Sequence, residues 1–103
     1  MKKIGQQQKV WLIQGYDGLT LIFKKQLTIA FTEHEISHIL KRLVSKNLTA
    51  NEILLSSKRK NMKGYLPLLE VRRENRERLT LSIGENPHYI ASVHTLGEVH
   101  DDT

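Results

Sequence analysis

The sequence predicts an α+β fold in which an antiparallel sheet of about five strands carries two helices on one face. Apolar residues alternate with a period of two near both ends of the chain, which is typical of strands. Between these regions they recur with helical spacing, behind two capping boxes. The predicted order is strand, strand, helix, helix, strand, strand, strand. We expect residues 1–103 to form one domain, with a loose arm over 1–8 and a frayed acidic tail over 97–103.

Asp17-Gly18 lies between two apolar runs and predicts a β-hairpin with a two-residue type I′ turn. This turn pairs Leu12 with Phe23 and makes both faces of the hairpin apolar. The face that the helices cover contains Val10, Leu12, Leu21 and Phe23. The opposite face contains Trp11, Ile13 and Ile22, which we expect to be exposed.

Two capping boxes mark the starts of the helices. Thr32 is followed by Glu35 in the first box, and Thr49 is followed by Glu52 in the second. In each box the hydroxyl and the carboxylate accept hydrogen bonds from free N–H groups of the first turn. The second helix is the shorter one, and its end at Lys58-Arg59-Lys60 suits the negative pole of a helix dipole.

Three more strands are predicted in the last third of the chain, separated by turn residues. They span residues 65–73, 78–83 and 88–96. An odd-numbered loop near Asn75 aligns Leu69 with Ile83, which makes one face apolar and the other polar. The polar face consists of Glu70, Arg72, Thr80 and Ser82.

Composition excludes several classes of site. The chain has no cysteine, so disulfides, thiolate metal sites and cysteine nucleophiles are excluded. No apolar run is long enough for a signal peptide or a membrane span, and we expect a cytoplasmic protein without a membrane partner. The glycines form no phosphate-binding loop, and no cofactor is expected.

Charge is distributed unevenly along the chain. Residues 41–78 contain 11 Lys or Arg against 4 Glu, a net charge of +7. Residues 79–103 contain no Lys or Arg and carry a net charge of −4. This asymmetry predicts either an anionic partner or a tail that folds back over the basic surface.

The segment His34-Glu35-Ile36-Ser37-His38 has the H-E-x-x-H spacing of zinc peptidases. In such sites two imidazoles one helical turn apart bind one ion and the glutamate acts as base. Here the capping box gives Glu35 a simpler role, and no spacing rule identifies a third ligand. We therefore favour two solvated histidines. A zinc hydrolase with His34 and His38 as ligands and Glu35 as base is the second alternative.

The preferred functional interpretation is a small non-enzymatic interaction or regulatory module that binds a protein partner or a second copy of itself. Exposed patches of aromatic and aliphatic side chains usually mark such interfaces. The predicted interface residues are Trp11, Ile13, Ile22 and Lys24. The first alternative is electrostatic binding of nucleic acid by the basic middle of the chain, with Tyr65 available for stacking. Its predicted contacts are Lys58, Arg59, Lys60, Lys63, Arg72 and Arg73.

Overall fold

The computed structural model of the chain describes residues 8–100, the last two by their backbone alone. The strands are β1 (Lys9–Asp17), β2 (Thr20–Thr28), β3 (Arg72–Asn75), β4 (Leu79–Gly84) and β5 (His88–Thr95). The helices are α1 (Glu33–Ser45), α2 (Ala50–Ser56) and α3 (Leu96–His100), with a 3-10 turn at Pro67–Leu69. All five strands form one antiparallel sheet in the order β2-β1-β5-β4-β3. The predicted α+β class and element order are confirmed.

Helix α1 covers one face of the sheet and closes the core. It contributes Ile36, Leu40 and Val44, which are spaced four residues apart and therefore lie on one side of the helix. The sheet contributes Trp11, Ile13, Leu81, Ile83, Tyr89 and Ala91. Every one of these nine side chains is at most 3% exposed. Burial of a large apolar side chain stabilises a fold by about 1.5–3 kcal/mol, so this layer holds the molecule together.

The predicted β1–β2 hairpin forms, but its turn is one residue further along. Asp17 pairs with Thr20, so the two-residue turn is Gly18-Leu19. Gly18 has a φ of +62°, whereas no non-glycine residue between 8 and 100 has a positive φ. Positive φ at the first central position alone is the pattern of a type II′ turn, which prefers glycine there. The predicted type I′ turn is therefore wrong.

A β-bulge at Ile22 of β2, opposite Gly15 and Tyr16, changes which side chains share a face. Beyond the bulge Trp11 pairs with Leu27, whereas the predicted register pairs Leu12 with Phe23. One extra residue in a strand turns all the following side chains to the other face of the sheet. Trp11 and Phe23 consequently lie on the side that α1 covers, and the predicted assignment of the two faces of β1 is wrong.

Gly15 itself is required by the packing of the core. A Cβ atom at this position would lie 2.6 Å from Cε1 of Tyr89 and 3.2 Å from Cβ of Phe23. Both distances are shorter than van der Waals contact, so a side chain here must displace the ring of Tyr89. Close approach of a neighbouring group is one of the reasons for a glycine inside a strand.

The stretch before β3 departs from the predicted strand over residues 65–73. It contains the 3-10 turn, in which Pro67 takes the first position, where a missing N–H costs no hydrogen bond. Arg72 pairs with Ser82, a shift of two residues from the predicted register. Because the shift is even, the predicted faces are retained, and both residues lie on the polar face of the sheet. Val10 and Leu12 share that face and pack against Leu96.

Helix α3 forms where the sequence predicts the start of a frayed tail. Thr95 N donates to Oε1 of Glu98 at 2.7 Å, and Glu98 N donates to Oγ1 of Thr95 at 3.3 Å. This reciprocal pair is a third capping box. Residues 1–7 of the predicted arm and 101–103 of the predicted tail lie outside the described residues. Of the helices within residues 8–100, none has the length and apolar character needed to cross a membrane.

Candidate functional site

The predicted protein interface is mostly buried. Trp11 is 2% exposed and Ile13 is 1% exposed, so their predicted exposure is wrong. The indole Nε1 of Trp11 donates to the backbone oxygen of Phe31 at 2.9 Å. Ile22 is 50% exposed and is the unpaired residue of the bulge in β2. Lys24 pairs with Gln14, so it lies on the opposite side of the sheet from Trp11. The four predicted interface residues therefore form no common surface.

Exposed apolar residues remain at the end of the hairpin, where Leu19 is fully exposed and Leu21 and Ile22 are about half exposed. They lie beside or on β2, which is an edge strand of the sheet. Lys24 and Lys25 follow on the same strand. Lysines on an edge strand oppose pairing with a second chain. The hairpin end is thus a poor site for association of two copies through their sheets.

The two-histidine segment lies in the first turns of α1. Thr32 N donates to Oε1 of Glu35 at 2.9 Å, and Glu35 N donates to Oγ1 of Thr32 at 3.1 Å. The predicted capping box is confirmed, and it engages the carboxylate that a zinc peptidase needs as its base. His34 and His38 are exposed, and no third His, Asp or Glu within residues 8–100 joins them in a metal-binding group. The arrangement of a zinc peptidase is therefore not assembled by this part of the chain.

A cleft of about 780 Å³ opens between α1, the end of α2 and the 3-10 turn. Its cationic side chains are Lys41, Lys58, Arg59 and Lys60, and we call it the basic cleft. His34, Ser37 and Lys41 are spaced three and four residues apart, so that one side of α1 forms the first wall. The second wall begins where α2 ends and the basic run follows. Two separate segments thereby bring four positive charges to one concave surface.

One carboxylate, that of Glu70, lines the basic cleft and is already engaged. The hydroxyl of Tyr65 donates to it, and Nζ of Lys60 lies 3.9 Å from its Oε1. The hydrogen bond to Glu70 raises the pKa of Tyr65, so the phenol stays protonated and its ring is held in the cleft wall. Lys41 and Arg59 make no ion pair with any residue in the described part of the chain.

Lys58 also lacks a carboxylate partner among residues 8–100, and its ammonium group donates to the backbone oxygen of Lys63 at 3.0 Å. This bond spans the loop after α2 and holds the Lys58 side chain near the cleft. An ammonium group has three donors, so two remain for a ligand. The position of Lys58 is consequently set before any ligand binds.

Ser56 lines the basic cleft and is 8% exposed. Its Oγ is buried, and within residues 8–100 it is the buried side-chain polar atom that has no hydrogen-bond partner. A buried hydroxyl without a partner costs about 1–3 kcal/mol. After a small movement of the side chain, a phosphate oxygen in the cleft would remove this cost by accepting a hydrogen bond from the hydroxyl.

Replacement of Ser56 by alanine is expected to keep the free energy of unfolding unchanged or to raise it by up to about 1–2 kcal/mol. The reason is that the change removes an unpaired buried hydroxyl and leaves the surrounding packing intact. Urea unfolding followed by circular dichroism measures the difference. Ser57→Ala is the matched control, since its Oγ donates to the Ile53 oxygen at 2.7 Å on the exposed side. A loss of more than about 1 kcal/mol in Ser56→Ala would show that the hydroxyl is satisfied in the free protein.

The remaining residues of the predicted nucleic-acid site lie outside the cleft. Arg73 contacts Glu33 at the start of α1, with its Nε 2.7 Å from Oε1, and this hydrogen bond lowers the pKa of Glu33. Arg72 points to the opposite face of the sheet, where its Nη2 donates to the Gly84 oxygen at 2.9 Å. Neighbouring residues of a strand cannot contribute to one surface, which is why the predicted set divides. Lys63 does not line the cleft, and its backbone oxygen accepts the hydrogen bond from Lys58.

Sequence reasoning missed Lys41 and Ser56 as site residues. The spacing of His34, Ser37 and Lys41 is a signal that places them on one side of a helix. Nothing in the sequence distinguishes Ser56 from its exposed neighbour Ser57, because serine is common at helix ends for many reasons.

Comparison with known proteins identifies no relative: no family model, no curated protein and no solved structure matches the chain.

Proposed function

We propose that this protein is a non-enzymatic module that binds single-stranded nucleic acid through its phosphates in the basic cleft. The observation that carries the proposal is the combination of cations without carboxylate partners and a buried, unpartnered hydroxyl on one concave surface. Cations attract the phosphate backbone, and a hydroxyl in the same cleft fixes an oxygen by a directed hydrogen bond. A surface that binds only through its net charge does not require a hydroxyl group such as that of Ser56.

The aromatic ring in the cleft favours a single strand over a duplex. The volume of the cleft falls within the range of about 300–1,000 Å³ that is typical of small-ligand sites. The ring of Tyr65 lines the same cleft, and a base stacked on an aromatic ring contributes about 1–3 kcal/mol. A duplex keeps its bases stacked inside, so it leaves the ring unused.

A protein partner is the competing proposal, and it has lost two of its four predicted contact residues. Trp11 and Ile13 belong to the core, and the lysines on β2 oppose pairing of two copies. The basic cleft, in contrast, already brings four cationic side chains together. For this reason we prefer nucleic acid to a protein as the partner.

Affinity for a 12-nucleotide oligothymidylate is expected to fall steeply with salt, and fluorescence anisotropy at several KCl concentrations measures it. Three or four phosphate contacts to a single strand give a slope of log K against log[salt] of about −2 to −3. An oligothymidylate with an uncharged peptide backbone is the control, and its binding should be weak and independent of salt. A flat salt dependence with the natural backbone would contradict the proposal.

A further inference from the structure

The two histidines at the start of α1 point the same ring nitrogen at each other. Nε2 of His34 and Nε2 of His38 lie 3.1 Å apart, while their ring centroids are 4.5 Å apart at an interplanar angle of 82°. The separation of the nitrogens is that of a hydrogen bond in the free protein, in which one Nε2 carries a proton and donates to the other. An ion placed beside the two nitrogens takes both lone pairs after that proton has left to solvent. Both side chains are exposed, and the position beside the nitrogens is open to solvent on the helix surface.

The separation of the two nitrogens fits a shared metal ion. Ligand nitrogens about 2.0–2.1 Å from an ion and 3.1 Å from each other subtend an angle of about 95–102° at that ion. This angle lies between the right angle of square-planar and octahedral ions and the angle of a tetrahedral one. Histidines four residues apart on a helix reach this geometry in one turn, without any change in the backbone.

We propose that His34 and His38 form a two-imidazole site for a divalent transition-metal ion, with Cu²⁺ bound more tightly than Ni²⁺ or Zn²⁺. The order follows from the general preference of nitrogen ligands, which is greatest for Cu²⁺. Both imidazoles are neutral in the bound state, with their protons on Nδ1, and the ion accepts the two Nε2 lone pairs. Water fills the other coordination positions. His34 also lines the basic cleft, but the argument for the metal site does not rest on the proposed binding of nucleic acid.

The neighbouring charges set a limit on what the site does. Glu35 is held in the capping box by Thr32, so it does not act as a base toward a metal-bound water. Lys41 lies one turn beyond His38 on the helix, and its positive charge opposes a cation. The site therefore binds an ion reversibly and does not rebuild the mechanism of a zinc peptidase.

Isothermal titration calorimetry with CuCl₂ and electron paramagnetic resonance of the Cu²⁺-loaded full chain test the site. We expect one ion per chain with two coordinated imidazole nitrogens. His34→Ala and His38→Ala should each weaken the affinity by about tenfold or more, and the rise in Tm on adding Cu²⁺ should disappear. Because both side chains are exposed, the variants are expected to fold, and their melting curves without metal verify this.

The double variant His34→Ala/Ser37→His is the matched control, because it keeps the number of histidines and breaks their spacing. Adjacent helix residues do not face each other, so this variant should bind as weakly as His34→Ala. Equal affinity in the wild type and all three variants would place the ion elsewhere and overturn the proposal. A wild-type chain that binds no Cu²⁺ would overturn it as well.

Discussion

Replacing Trp11 with alanine is expected to lower the free energy of unfolding by about 3–5 kcal/mol. The indole is 2% exposed, and its removal leaves a cavity between α1 and the sheet. It also leaves the backbone oxygen of Phe31 without the Nε1 donor that it has at 2.9 Å. A domain of this size has a total stability of about 5–15 kcal/mol, so the loss is a large share of the whole. The Tm should fall by at least about 12 °C in thermal unfolding followed by circular dichroism.

Ile22→Ala is the matched control for that experiment. Ile22 is 50% exposed at the hairpin end, and its truncation should change the free energy of unfolding by no more than about 0.5 kcal/mol. If Trp11 lay on an exposed interface, as the sequence predicts, Trp11→Ala would change the free energy of unfolding little, because an exposed tryptophan can be replaced without loss of core packing. Wild-type stability in the Trp11→Ala variant would show that the indole is exposed in the native protein. It would contradict the observed register of β1.

The double variant Lys58→Glu/Arg59→Glu is expected to weaken binding of the oligothymidylate by about 10–100-fold at moderate salt. Each substitution removes a phosphate contact and adds a repulsive charge in the basic cleft. The salt slope should become shallower by about 1–1.5, because two contacts to a single strand are lost. Fluorescence anisotropy measures both quantities on the same protein.

Lys25→Glu/Arg76→Glu is the matched control for the cleft variant. It makes the same change in net charge at two exposed positions outside the cleft. Long-range attraction responds to either pair of substitutions, whereas local contacts respond only to the first. The control should lose no more than about threefold in affinity. Equal losses in the two variants would show that only the overall charge attracts the strand.

The helices could be predicted from sequence because their signals are local. Thr32 with Glu35 and Thr49 with Glu52 both form the expected reciprocal hydrogen bonds. The hairpin register could not be predicted, because it depends on the bulge at Ile22 of β2. Beside the bulge, Gly15 leaves room for the ring of Tyr89, which lies far away in the sequence.

The basic cleft could be predicted only in part, for the same physical reason. The run Lys58-Arg59-Lys60 is continuous in sequence and lines one wall. Lys41 joins it only because α1 and α2 fold toward the same 3-10 turn, which is a tertiary contact. Arg72 and Arg73 do not line the basic cleft, and they point to opposite faces of the sheet because they are neighbours in a strand.

Titration of the isotopically labelled protein with an eight-nucleotide oligothymidylate, followed by NMR of backbone amides, tests the central claim directly. The strand is predicted to shift amides of the basic cleft most, at Lys41, residues 56–60 and Tyr65. The amide of Ser56 should shift more than nearby charge alone would cause, because its hydroxyl gains a hydrogen-bond acceptor. Shifts confined to the hairpin end or to the loop between β3 and β4, or no shifts at low salt, would contradict the account.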